Sequence, residues 1–269
     1  MRRRPWRTVV GASTLLLLAT LAVCAPVVAP HDPLRQDLAL HLEPPSRAHP
    51  LGTDRLGRDV LSRLLYGARL SLAVGAAAVA GALAIGILVG TLAGYGGRVG
   101  DELLMRATDV LLAFPGILLA IALAAVLGPS ARNVVIALTV MGWPAYARLV
   151  RAEIRTAAAR ESTRAAEALG ATPLRVAVKH LLPSARAAIL VQATFGVAGA
   201  IVAEASLSFL GLGPPPPTPS WGAMLAEGRS FLLIAPHLVI APAAALGVTV
   251  LAIQLLGDGL RGERTGGRA

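Results

Sequence analysis

The chain has 269 residues, 55% of them hydrophobic and 15% charged, with a formal charge of +10 and a mean hydropathy of +0.66. That composition excludes a water-soluble domain, and apolar runs that are continuous rather than alternating exclude a transmembrane β-barrel. An all-α, polytopic helical membrane protein remains, since each crossing needs roughly 20 apolar residues.

The first charge-free run, 8–29, is expected to be a retained first span. Its basic start and LAVC sequence also resemble a signal peptide and a lipoprotein cleavage site, but the run is longer than a usual signal core. Cys24, the one cysteine, excludes an intramolecular disulfide and a cysteine-based metal cluster. Further charge-free runs at 70–97, 110–131, 133–147, 187–203 and 230–257 predict six spans, with both termini on one side. Gly and Ala dominate them, which predicts close helix–helix approach. With the N-terminus inside, inner segments hold 17 Lys and Arg and outer segments 8, so both termini are expected in the cytoplasm. No compact basic domain exists to carry a nucleic-acid site, so the remaining basic excess is assigned to membrane lipid headgroups.

The first outer loop, 30–69, contains GTDRLGRDV, where Asp54, Arg58 and Asp59 are close enough for local ion pairing and Gly52 and Gly57 permit tight turns. Residues 59–72 read as an amphipathic helix entering the second span. This element is either a structural rim or a contact for a substrate-delivering protein. Phe114–Pro115 in the third run and Trp143–Pro144 in the fourth predict bent helices. They are packing kinks or, with the polar Gln192, points on a translocation path.

The inner loop, 148–186, predicts a helix over 149–169, an interruption at Gly170, and a second short helix from Pro173 to Pro183. Ala165, Ala166 and Ala168 give a slim surface, and Leu169, Leu174 and Val178 offer apolar anchors. Such a loop lies on headgroups or docks a partner. In the last outer loop, 204–229, Pro214–Pro217 forms a stiff extended strap that, with Pro216 and Trp221, braces a binding-protein partner or covers the sixth span. Glu204 is expected at a membrane interface and His237 near the outer end of its run. The histidines, His31, His41, His49, His180 and His237, show no metal-ligand spacing, and no metal site is assigned.

The stretch 164–183, RAAEALGATPLRVAVKHLLP, resembles the signature cytoplasmic loop of ABC-importer permeases. Ala165, Ala166, Gly170, His180, Leu182 and Pro183 match that pattern in spacing. Arg164 stands where the pattern has Glu, with Glu161 and Glu167 to either side. The blocks HPLGTDRLGRDVLSRLLYGARLSL, RATDVLLAFPGILLAI, WPAYARLVRAE, EASLSFLGLG and PSWGAML are similar, in order, to the second permease subunit of dipeptide, oligopeptide and nickel importers. The resemblance implies a type I ABC-importer permease fold with six transmembrane helices, an N-terminal region 1–69 and a permease core 70–269. It further implies a bacterial or archaeal plasma membrane, two ABC ATPase subunits docking on the 164–183 loop, a second homologous permease and an extracytoplasmic solute-binding protein. The chain has no GxxxxGK[ST] phosphate loop, so ATP and Mg belong to the partner subunits and the chain is expected to be non-catalytic, binding no cofactor. Peptide is the expected solute. An ion-coupled secondary transporter would show midplane coupling carboxylates or repeated halves, and a membrane enzyme clustered acid–base groups; neither is evident.

Overall fold

The computed structural model describes residues 5–266, with side chains over 6–261. Arg2, Arg3, Arg4 and Arg268, which entered the charge balance, lie outside the described residues. Helices run in the order α1 (Pro5–Val23), α2 (Ala25–Val28), α3 (Val60–Tyr95), α4 (Arg98–Ala113), α5 (Gly116–Leu127) and α6 (Ala131–Ala158). They continue as α7 (Glu161–Ala168), α8 (Pro173–Val176), a π-helical turn (Ala177–Leu181), α9 (Leu182–Phe209), α10 (Trp221–Gly228) and α11 (His237–Gly266). Five stretches are long and apolar enough to cross a membrane: Trp6–Val23, Val60–Tyr95, Ala131–Ala158, Pro173–Phe209 and His237–Arg261. Taking α4 and α5 as one broken span makes six.

The main frame is α3 packed along α6, and its closeness comes from glycine. A Cβ at Gly86 would lie 2.4 Å from Tyr146 Cβ, and one at Gly90 would lie 2.6 Å from the Ala147 carbonyl oxygen. In lipid, where packing supplies much of the association energy, backbones meet this closely only over such residues. Around the frame, one core joins Val74, Ala78 and Ala82 to Val134, Leu138 and Tyr146, with Leu207 of α9. A second ties Ala22 of α1 and Trp221 of α10 to Ile201 and Ile253. Gly86→Ala is expected to cost about 1–3 kcal/mol through overpacking, read as a lower unfolding midpoint in detergent. Gly199→Ala, in α9 with nothing within 4 Å of a new Cβ, is the control and is expected not to lower it.

Several boundaries differ from the sequence expectation. The helix expected over 59–72 is present as the start of α3, which runs unbroken into the second span, so the division at 69/70 falls within one helix. Asp59 starts it by accepting from the Ser62 amide (2.7 Å). The third run is not one helix: α4 and α5 meet at 87°. Pro115 holds Phe114 in an extended conformation (φ −83°, ψ 139°), which ends α4 and lets α5 start afresh. Pro144, by contrast, lies buried inside an unbroken α6. Pro183 does not end a short helix either, because the preceding π turn lets the chain run helically from Pro173 to Phe209. The proline strap turns rather than extending throughout, with the Thr218 amide donating to the Pro215 carbonyl (3.3 Å).

Candidate functional site

The turn between α7 and α8 is built by local rules. After α7, Gly170 takes φ +83°; its amide donates to Glu167 (2.9 Å) and the Ala171 amide to Ala166 (3.0 Å), the two bonds of a Schellman stop. Thr172 then caps α8, accepting from the Arg175 amide (3.4 Å), and Pro173 fills the first helical position, where no donor is missed. The resulting hairpin has two faces. Val176 and Leu181 are fully buried against Val150, Ile154 and Ala157 of α6. Leu169, Leu174 and Val178 are 89%, 74% and 54% exposed.

Arg164, Ala165, Gly170, His180 and Pro183 are exposed on this segment, with Ala166 and Leu182 half-buried. Glu167 is one of the two carboxylates that flank Arg164 in sequence. It accepts a hydrogen bond from the Tyr95 hydroxyl (2.6 Å) and so fastens the hairpin to the end of α3. Nearby, Asp101 of α4 accepts from Arg151 (Nη2 to Oδ2, 2.7 Å) and from Arg155, and Arg148 pairs with Asp109. These ion pairs hold the broken helix to the C-terminal part of α6.

The other end of α3, about 50 Å away at 1.5 Å per residue, carries a different structure. The sequence leaves Asp54, Arg58, Asp59 and Trp221 either as structural elements or as candidate contacts for a substrate-delivering protein, and their burial favours the structural alternative. All four are buried, and only Pro216 of that set is exposed. Arg58 Nε donates to Asp54 Oδ2 (2.6 Å) and its Nη2 to Glu227 of α10 (2.7 Å). Arg63 donates to Glu227 through both terminal nitrogens (2.8 and 3.2 Å) and also pairs with Asp54. Burial by itself would push the Asp54 carboxyl up. The Arg63 and Arg58 guanidiniums and the Leu56 and Arg58 amides outweigh it and hold the group below the usual carboxylate range. Trp221 donates from its ring to the Leu64 carbonyl (3.1 Å) and lies against Gly67. This is an internal clasp joining the loop before α3, α3 itself and α10.

Of the candidate pathway residues, Phe114, Pro115 and Gln192 are exposed, Trp143 packs at the edge of the main core and Pro144 is buried. Glu204 is fully buried in α9, bonded by Ser208 Oγ (2.7 Å), with Ser71 and Ser220 beside it. His237 begins α11, with Nε2 3.4 Å from the Thr53 carbonyl.

A bundle of apolar helices long enough to span a membrane, with an anchored helix–glycine–helix hairpin at one end, fits a permease of the ABC-importer type. The chain belongs to the family of binding-protein-dependent transport system inner membrane components, whose family model matches residues 86–262. It is 45% identical over 257 residues to the di/tripeptide transport system permease protein DppC of Pseudomonas aeruginosa, covering 93% of this chain and 85% of the relative. The glutathione transport system permease protein GsiD of Pectobacterium atrosepticum is 44% identical over 271 residues, covering 96% and 90%. The dipeptide transport system permease protein DppC of Alkalihalophilus pseudofirmus is 41% identical over 268 residues, covering 96% and 88%. In fold the chain is similar to one from an inward-facing structure of the MetNI methionine ABC transporter, with a TM-score of 0.61 at 20% identity, covering 74% of this chain and 94% of that one. The expected family and fold are thus borne out. The relatives named are transport permease subunits for peptides and glutathione, and none of them names nickel.

Proposed function

We propose that this chain forms half of the membrane pathway of an ATP-driven importer for di- or oligopeptides or a related small solute such as glutathione. A second homologous permease completes the pathway, two ABC ATPases bind and hydrolyse ATP with Mg, and a solute-binding protein delivers from outside, where Pro216 is exposed. Both termini and the 161–178 hairpin lie in the cytoplasm. Phe114, Pro115, Trp143, Pro144 and Gln192 are candidates for the path or its gate.

The observation that carries the reading is the two-faced hairpin: three exposed apolar side chains on one side, α6 and α3 gripped on the other. A folded protein gains nothing by holding Leu169 and Leu174 in water unless a partner covers them. Motion of that partner then enters through α7 and reaches the spans through the Val176–Leu181 contacts and the Tyr95–Glu167 bond.

The test is co-purification of the complex from cells expressing all its subunits. Leu169→Glu with Leu174→Glu is expected to weaken ATPase association at least about tenfold, the weight of a central interface anchor. ATP-driven peptide uptake into proteoliposomes should fall with it, while the unfolding midpoint of the chain stays in place, since both side chains are exposed. Undiminished ATPase association in the double variant sinks the docking assignment. Uptake driven by an ion gradient without ATP sinks the importer reading as a whole.

A further inference from the structure

The first outer loop brings together three side chains that the sequence keeps far apart. His31 follows α2, His49 lies in the loop, and Asp59 caps α3, yet one potential ligand atom from each lies within 4.8 Å of the others. His49 Nδ1 is 2.9 Å and His31 Nδ1 3.7 Å from the same oxygen, Asp59 Oδ1. Asp59 Oδ2 is already used, accepting from the Ser62 amide, so Oδ1 alone faces the two rings. The imidazoles are stacked, with centroids 4.6 Å apart and planes at 28°. His31 Nδ1 is a buried atom with no hydrogen-bond partner among the described residues.

An ordinary histidine–carboxylate hydrogen bond accounts for His49. It leaves His31 unexplained, since an unpaired buried ring nitrogen costs free energy. We propose that His31 Nδ1, His49 Nδ1 and Asp59 Oδ1 bind one divalent transition-metal ion, zinc being the class that fits best. Two imidazoles and a carboxylate suit zinc and its neighbours rather than magnesium or calcium. Bonds of about 2.0–2.2 Å set tetrahedral ligand atoms roughly 3.3–3.6 Å apart, a spacing that falls between the observed 2.9 and 3.7 Å. On binding, the proton on either Nδ1 leaves and the ring lone pair replaces it.

The three donors are held in place by their surroundings. The His31 amide donates to Ser62 Oγ (3.1 Å), the His49 amide donates to Ser46 Oγ (3.0 Å), and Asp59 is fixed as the cap of α3. His31 also lines a cleft of about 600 Å³ with Asp32, Tyr66 and the strap residues Pro217–Pro219, which gives an ion a way in. The ion would fasten the chain leaving the first span to the first turn of the second. This assignment does not depend on the solute or on the ATPases.

The experiment uses the full chain in detergent with any polyhistidine tag removed. The protein is stripped with chelator, given zinc, dialysed against metal-free buffer, and its zinc counted by atomic emission. The wild-type chain is expected to retain about one zinc and to gain a higher unfolding midpoint when zinc is present. His31→Ala, at a partly exposed site, is expected to fold with an unchanged metal-free midpoint and to bind zinc at least about 100-fold more weakly, at or beyond the upper end of what loss of a mere supporting contact does to metal affinity. His180→Ala is expected to retain zinc as the wild type does. No retained zinc in the wild type, equal retention in His31→Ala, or loss in His180→Ala would each overturn the assignment.

Discussion

Arg63→Ala is expected to destabilise the folded chain by about 3–5 kcal/mol, the cost of removing one partner from a buried ion cluster. Arg63 and Arg58 face Asp54 and Glu227, and the side chains of Arg63, Arg58 and Asp54 are 2%, 3% and 6% exposed. The four formal charges cancel. Losing Arg63 leaves two carboxylates sharing Arg58, with Asp54 buried and Glu227 21% exposed. If the damage comes from the uncompensated charge, Arg63→Met combined with Glu227→Gln should be more stable than Arg63→Met alone, since it leaves the Asp54–Arg58 pair (2.6 Å) neutral and intact. Chemical denaturation in detergent, followed by tryptophan fluorescence, reads all three; Trp221 in the adjoining core reports the clasp directly. A loss under about 0.5 kcal/mol for Arg63→Ala would place the cluster among ordinary surface pairs and refute the clasp.

The same cluster sets an acid limit. Asp54 is held below its usual 3.8, so its contribution is fully present above that value and is lost as pH falls from there through the depressed folded value. The acid unfolding of the wild type should therefore steepen below about pH 4, and Asp54→Asn should flatten that part of the curve while lowering stability at neutral pH.

What the sequence discloses follows how local each determinant is. The α7–α8 hairpin is legible because Gly170, Thr172 and Pro173 act on their own neighbours, and the exposed apolar side chains can be read off beside them. The clasp is half legible: Asp54 and Arg58 lie within one turn of loop, but their partner Glu227 arrives from α10, 169 residues after Arg58. That distant carboxylate also pairs with Arg63, so a charge in the first turn of α3 is neutralised by a partner no local pattern discloses. The two aromatic–proline pairs read alike and fold differently. Pro144 sits where α6 is clamped to α3 at Gly86 and Tyr146, so the helix runs on through it; Pro115 is exposed and followed by Gly116, and the helix breaks. Pro183 reads as a stop because a π turn, which makes room ahead of a proline ring, leaves no mark in composition. His31, His49 and Asp59 are scattered along an irregular loop and meet only through its tertiary path.

Glu204 provides the second large effect, and its substitutions separate shape from charge. It is fully buried in α9, with no salt-bridge partner among the described residues. Its surroundings are hydroxyls: Ser208 donates to Oε1 (2.7 Å), and Ser71 of α3 and Ser220 at the start of α10 lie beside it. Ser71 Oγ in turn receives the Trp221 amide (3.4 Å), so one carboxyl sits where α3, α9 and α10 meet. Among the described residues Oε2 makes no hydrogen bond of ordinary geometry. Glutamine keeps the acceptor at Oε1, puts a donor where Oε2 stands, and carries no charge to desolvate. Glu204→Gln is therefore expected to be at least as stable as the wild type. Glu204→Ala removes the shape, opens a cavity and strands the serine hydroxyls, for a loss of roughly 2–5 kcal/mol. Glu204→Lys places an ammonium among groups already committed elsewhere and should prevent accumulation of folded protein in the membrane. Unfolding midpoints of the purified glutamine and alanine variants, with the membrane level of the lysine variant, test the series. If glutamine costs as much as alanine, the site requires a carboxyl group as such, and packing and hydroxyl bonding no longer account for an acid at this junction of three helices.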